Sequence, residues 1–174
     1  MENILVYENF CNELELTKIN NIIKTKSWEW GHTSDGRVID TSLFWTMELS
    51  DESYFTEHLK NAIEKHFSKK FKLLRVYANG QTFGQDGCFH KDSEYPNHYT
   101  VCLYLTHIDK NLVDAAGGYI TFKLPDKNYN VSYEPLFNRL IMFPSNYYHK
   151  GNAFSRFFTD IRICVAWKLL EEDI

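Results

Sequence analysis

From residue 71 onward the spacing of apolar residues changes from helical to alternating, and no helical segment of useful length follows. The runs 71–78, 99–106, 119–124, 139–143 and 160–168 are short, rich in β-branched and aromatic residues, and separated by Gly, Asn, Pro and Asp. Strands with no helix between them cannot be joined as parallel crossover units, so this half is predicted to be an antiparallel sandwich or barrel. The first half reads differently. Leu16, Ile19, Ile22 and Ile23 recur at helical spacing behind Asn12, a capping residue. Phe55, Leu59, Ala62, Ile63 and Phe67 form a second stripe, with Ser50 and Asp51 as its capping candidates. Between them Ser34-Asp35-Gly36 is predicted as a turn, with short strands over 37–39 and 43–47. Helices first and strands after make an α+β domain, mainly β, whose N-terminal helices (1–70) support a β core (71–174).

Strand parity says which faces are wet. In 99–106 the odd positions Tyr99, Val101, Leu103 and Leu105 form an apolar face fit to pack on helices, while Thr100, Cys102, Tyr104 and Thr106 are smaller and more polar. In 160–168 one face carries Ile161, Ile163, Val165 and Trp167, and the other Arg162, Cys164 and Ala166. A charge in a strand otherwise apolar on both faces needs a partner, because unpaired burial is costly. Both strands are therefore predicted to border one polar-tinged cavity.

The chain's 174 residues suit one domain, 1–174. With a net charge of −4 and no basic stripe, a nucleic-acid partner is disfavoured; Lys69, Lys70 and Lys72 read as a solvated helical face. The aromatic share of 16% is high and is expected to fill a sheet core. Cys11, Cys88, Cys102 and Cys164 are scattered without CxxC spacing, the first residues lack a signal-peptide pattern, and no run is long enough to span a membrane. A cytoplasmic, reduced protein is expected, in which the sequon Asn130-Val131-Ser132 is a chance match. Oligomeric state is not legible.

The chemistry concentrates at Gly87-Cys88-Phe89-His90-Lys91-Asp92. On an extended chain His90 and Asp92 project to one face and can grip one ion. A third ligand must come from elsewhere. His149 is favoured because an arginine-bearing strand follows it; His98 and His107, flanking a strand, are next in line, and His32, His58 and His66 lie in the helical half. Two imidazoles and a carboxylate make a facial triad that leaves coordination positions open and suits non-haem Fe(II). Against this, HxD spacing is common by chance: His90 also reads as a polar loop residue and Asp92 as an Asx-turn former beside Ser93.

The stretch from about Leu74 to Lys168 resembles the prolyl 4-hydroxylase-like branch of the 2-oxoglutarate/Fe(II) dioxygenases. The matching pieces occur in order: Tyr77-Ala78-Asn79-Gly80, His90-Lys91-Asp92, Thr100-Val101-Cys102-Leu103-Tyr104-Leu105, Gly117-Gly118-Tyr119-Ile120-Thr121-Phe122, Asn138 through Ser145, His149, and Arg162-Ile163-Cys164-Val165-Ala166-Trp167. The resemblance implies a double-stranded β-helix, or jelly-roll, with the metal at its mouth. It also implies a hydroxylase that uses Fe(II), 2-oxoglutarate and O2, with ascorbate as accessory reductant. Arg162 would bind the distal carboxylate of 2-oxoglutarate, Tyr104 would add a hydrogen bond to it, and Tyr77 would line the substrate side. The interval from His149 to Arg162 is longer than usual in this branch, which lets Lys150 and Arg156 compete for the anchoring role. The substrate would be a prolyl residue in a peptide, a free amino acid or another small molecule, admitted between the loops 83–87 and 92–98. Two rival readings stand beside this one: a cupin-like metal enzyme without redox chemistry, and a β-sandwich binding module with incidental histidines.

Overall fold

The computed structural model describes residues 3–35, 42–109, 111–124 and 127–172. Strand β1 (Leu5–Tyr7) leads to helix α1 (Glu13–Thr25) and strands β2 (Glu29–His32) and β3 (Phe44–Glu48). A π-helical turn, Tyr54–Leu59, runs into α2 (Lys60–Phe67), and the chain is then almost wholly extended. The extended part comprises β4 (Phe71–Gln81), β5 (His98–Tyr104), β6 (Ile120–Lys123), β7 (Asn130–Tyr133), β8 (Leu140–Pro144), β9 (Tyr148–Gly151) and β10 (Arg162–Glu171), with a single short helix, α3 (Val113–Ala116), before β6. All five strands predicted after residue 71 are present, and the one predicted over 43–47 is β3. The strand over 37–39 and the Gly36 end of the predicted turn lie outside the described residues. Strands β1, β2, β7 and β9 escape the pattern because they are three or four residues long and largely lack buried apolar alternation.

Helix α1 starts as expected. The Asn12 side chain accepts from Glu15 N–H at 3.0 Å and Glu15 Oε2 accepts from Asn12 N–H at 2.9 Å, a reciprocal capping box. The second helix does not use its expected caps. Ser50 Oγ instead donates to Glu48 Oε1, Asp51 pairs with Lys26, and the helical run begins after Ser53 with no side-chain cap. Nor do Lys69, Lys70 and Lys72 share a helical face: Lys69 pairs with Glu171, Lys70 with Glu64, and Lys72 lies on β4.

The strands form two antiparallel sheets: seven strands in the order β1-β8-β5-β10-β4-β3-β2, and three in the order β7-β6-β9. The odd-numbered side chains of β5 and β10, including Val101, Leu103, Val165 and Trp167, pack with Ile19 and Ile23 of α1 and Leu59 and Ile63 of the second helical run. Trp167 is fully buried and its indole N–H donates to the Phe55 carbonyl at 3.0 Å, which ties the helices to the sheet. The opposite face of the large sheet meets the small one, where Tyr104, Ile141 and Phe143 pack with Ile120, Phe122 and Leu124. Part of the aromatic excess is core, with Phe55, Phe71, Phe122, Phe143 and Phe154 almost wholly inaccessible, while Trp30, Phe83, Tyr95, Tyr129 and Phe157 are exposed. On this second face the even-numbered residues of β5 and β10 border a cavity.

Candidate active site

That cavity has a volume of about 350 Å3 and is bordered by His90, Asp92, His149, Tyr104, Arg162 and Lys168, among others. His149 lies on β9 and His90 pairs with it through a single antiparallel bridge: His90 N–H donates to His149 O at 3.0 Å, and His149 N–H to His90 O at 2.9 Å. His90 and Asp92 are thus not neighbours on a continuous strand, as their spacing implied. The chain turns away after the bridge, and Asp92 is held by its own N–H donating to Ser145 O at 2.9 Å. The outcome is nevertheless convergence. Ligand atoms of His90, Asp92 and His149 all lie within 4.8 Å of one another. His90 Nε2 is 3.4 Å from Asp92 Oδ1, and His149 Nε2 is 3.4 Å from Asp92 Oδ2.

Both rings are oriented from behind. Nδ1 of His90 sits 3.0 Å from the Cys88 carbonyl and Nδ1 of His149 3.0 Å from the Tyr147 carbonyl. A carbonyl can only accept, so each Nδ1 carries the proton and each Nε2 presents its lone pair to the centre. Burial pushes the His149 imidazole down to about 4, against the opposing pull of Asp92; it is neutral at physiological pH, as a metal ligand must be. Burial alone would push the Asp92 carboxyl up, but Lys168, His149 and His90 overcome it and hold the group well below the usual carboxylate range.

Arg162 opens β10 on the same cavity, 3% exposed. Its Nε donates to Gly118 O at 2.7 Å and its Nη1 to Gln81 Oε1 at 2.8 Å, and its Cζ lies 5.1 Å from the centroid of the Tyr104 ring. Gly118 adopts φ +75°, and a Cβ there would strike the Phe154 ring at 2.5 Å, so only glycine lets this carbonyl reach the guanidinium. No carboxylate among the described residues pairs with Arg162. The Tyr104 hydroxyl is buried and likewise has no hydrogen-bond partner there. A fixed guanidinium and a buried phenol O–H, both short of an acceptor and both bordering the cavity, fit a bound carboxylate.

No protein-family model and no curated protein matches the sequence. Solved structures do. A prolyl hydroxylase from Trichoplax adhaerens, in complex with a hypoxia inducible factor peptide fragment, aligns at a TM-score of 0.73 and 15% identity over 98% of this chain and 84% of that one. An oxidoreductase of the 2OG-Fe(II) oxygenase family from Burkholderia pseudomallei aligns at a TM-score of 0.74 and 11% identity, over 97% and 85% of the two chains. A prolyl-4-hydroxylase from Pseudomonas putida aligns at 0.70 and 12%, over 99% and 94%. The chain shares the double-stranded β-helix fold of these proteins. At these identities the likeness establishes the double-stranded β-helix itself, and the chemistry must come from the site.

Within this fold the competing residues fall away from the centre. His107 is exposed and stacks on Phe137, and His58 is exposed and pairs with Glu15. His66, on α2, packs edge-on against Tyr7 near the surface. His98 borders the outer part of the cavity without joining the triad. His32 corrects its placement in the helical half: it lies on β2, against the Tyr77 ring, and borders the cavity. Tyr77 borders the cavity as well. Lys150 extends over Phe89, and Arg156 lies against the exposed Phe157. The long connection to Arg162 is partly pinned, since Ala153 N–H donates to Asp86 Oδ1 at 2.8 Å and Phe154 bridges Gly117.

Sequence reasoning missed Lys168. It shares the parity of Arg162, Cys164 and Ala166, so strand alternation could have placed it on the cavity. Its ammonium pairs with Asp92 Oδ2, lies 3.4 Å from Thr100 Oγ1, and is held in its charged form, above the ordinary lysine value, because Asp92 more than offsets burial. Thr100 Oγ1 also donates to Asp92 Oδ2 at 2.6 Å.

Proposed function

We propose that this protein is a non-haem Fe(II)- and 2-oxoglutarate-dependent oxygenase that hydroxylates an unactivated C–H bond. His90, Asp92 and His149 hold the metal, and Arg162 with Tyr104 holds the distal carboxylate of the cosubstrate. The observation that carries this reading is one cavity containing both a two-histidine, one-carboxylate cluster with its Nε2 atoms turned inward and a buried arginine with no carboxylate partner among the described residues. Either half alone is common; a cupin-like hydrolase or a binding module gives no reason for the second half.

When bound, the iron supplies O2 activation at the expense of 2-oxoglutarate. The chain supplies position and a shielded environment. The Cys88 and Tyr147 carbonyls fix both imidazole tautomers. Thr100 and the Ser145 carbonyl fix the Asp92 side chain and backbone. Gly118 and Gln81 hold two faces of the Arg162 fork, leaving the rest of it to meet a carboxylate. Phe122 and Phe143 pack against the His149 ring and keep water from its flanks. No side-chain nucleophile or general base is called for. The substrate is a small molecule or a residue in a peptide. Four free thiols, Cys11, Cys88, Cys102 and Cys164, fit a reducing compartment such as the cytoplasm, and among the described residues no helix is long and apolar enough to cross a membrane.

Anaerobic titration with Fe(II) and 2-oxoglutarate tests the assignment. A weak visible charge-transfer band is expected in the wild type. It should vanish in His90→Ala, Asp92→Ala and His149→Ala, and require much more 2-oxoglutarate in Arg162→Ala. A band that survives His149→Ala removes this residue from the site.

A further inference from the structure

The inner wall of the cavity is unusually cationic for a chain of net charge −4. Its charged lining residues are Arg75, Asp92, Arg162 and Lys168. Arg75 is matched at the rim by Glu48, 2.9 Å away. Arg162 is matched once a cosubstrate carboxylate meets it. Lys168 is different, since the only carboxylate among the described residues that it pairs with is Asp92, which the metal would also claim.

A charge count over the loaded site makes the consequence plain. A divalent ion and a doubly charged cosubstrate cancel each other. Asp92 then offsets only one of the two inner cations, Arg162 and Lys168. One positive charge is left over, in a half-open cavity where water compensates a charge only in part. The register sharpens the point, because Lys168 on β10 stands directly opposite Arg75 on β4, an arrangement of like charges that destabilises a sheet. Their charges sit 5.7 Å and 4.4 Å from the centroid of the Tyr77 ring, which borders the cavity. The lysine stem is long enough to turn from Asp92 toward a ligand without moving the strand.

Resting on the oxygenase reading above, we infer that Lys168 anchors the substrate, and that the substrate is a small molecule bearing a carboxylate. A cavity of about 350 Å3 that must also hold 2-oxoglutarate leaves space for a molecule of roughly amino-acid size. Lys168 thereby sets specificity by charge, since a neutral isostere leaves the half-buried ammonium with only the Asp92 carboxylate that it shares with the metal.

The test uses the full chain loaded with Mn(II) and N-oxalylglycine, an inert analogue of 2-oxoglutarate, with Mn(II) uptake followed separately by electron paramagnetic resonance. Matched pairs are then titrated by calorimetry: acetate and acetamide, benzoate and benzamide, L-proline and L-prolinamide. In at least one pair the carboxylate should bind about tenfold more tightly or better, as expected for a hydrogen bond to a charged group. Lys168→Met should abolish that preference while binding Mn(II) at least as tightly as the wild type, because a cation competing for Asp92 is gone; Lys168→Arg should keep the preference. The inference is overturned if no pair shows a preference, whether both members bind alike or neither binds, or if the preference survives in Lys168→Met. It is also overturned if Lys168→Met weakens Mn(II) binding and leaves the acid-to-amide ratio alone, which would make Lys168 only a support for Asp92. Failure of the wild type to take up Mn(II) is visible in the resonance signal, and removes the oxygenase reading together with this one.

Discussion

Replacing Tyr104 by Phe should move stability and affinity in opposite directions. The residue is 1% exposed and its hydroxyl has no partner among the described residues, so the folded, ligand-free protein carries a desolvated O–H with none of them to bond. An unsatisfied buried polar group costs about 1–3 kcal/mol. Phenylalanine keeps the ring, including its 5.1 Å approach to the Arg162 guanidinium, and removes that cost. Taking the lower end, the variant should be about 1 kcal/mol more stable without ligand, a rise of ~2–4 °C in Tm for a chain of this size. Burial first, then the Cys164 and Cys102 thiols, pushes the phenol well above its ordinary value of 10, so the group acts as a donor. A hydrogen bond donated to a charged carboxylate is worth about 1.5–3 kcal/mol, and its loss should weaken 2-oxoglutarate binding about tenfold or more. Urea unfolding of the metal-free protein gives the first quantity, and 2-oxoglutarate titration of the Mn(II)-loaded protein gives the second. A variant that is less stable and binds 2-oxoglutarate as the wild type does would show that the hydroxyl has a partner of its own, and would remove Tyr104 from the cosubstrate site.

Glu64 should shape the acid limb of stability. Burial would raise its carboxyl, but hydrogen bonds from Lys60 Nζ at 2.8 Å and Phe71 N–H at 2.7 Å prevail and hold it below 4.5. A carboxyl lowered on folding stabilises above its unfolded value and loses that contribution as pH falls through the folded one; Glu64→Gln should therefore flatten the decline in urea midpoint below about pH 4.5 relative to wild type. Asn138→Ala should be strongly destabilising. This buried residue sits at φ +62°, and its side chain accepts from Cys11 N–H at 2.8 Å and donates to Cys11 O at 2.7 Å, so alanine strands two backbone groups and a strained φ, for a loss of about 2–4 kcal/mol by chemical denaturation. Exchanging residues 93–97 should alter substrate preference while leaving the Fe(II)·2-oxoglutarate band intact; an unchanged preference would show that this loop does not border the substrate.

Much of the architecture follows from local pattern. The capping box at Asn12 and Glu15, the apolar stripes of both helices, and the alternation in β5 and β10 each work through neighbours within a turn or a pleat, so they are legible in the linear order of residues. That same alternation put Arg162, Cys164 and Tyr104 on the cavity side. It reached Lys168 as well, yet a lysine at the last position of an apolar run reads as a solvated strand end, and only its ion pair with Asp92 shows that it turns inward. The caps assigned to the second helix failed because Ser50 and Asp51 are drawn to Glu48 and Lys26, contacts that no local rule contains.

Periodicity and residue type act over a few positions, and they suffice for the class of the fold and the short list of groups able to do chemistry. Which histidine completes the cluster is settled by long-range packing, since His98, His107 and His149 are equivalent as residue types and differ in what lies across from them. The bridge between His90 and His149 brings together segments 59 residues apart in number and 4.5 Å apart in ring centroid. Contacts of that range are set by how two sheets close on a shared core, and the energy that closes them is spread over Phe122, Ile141 and Phe143 rather than over the ligands themselves.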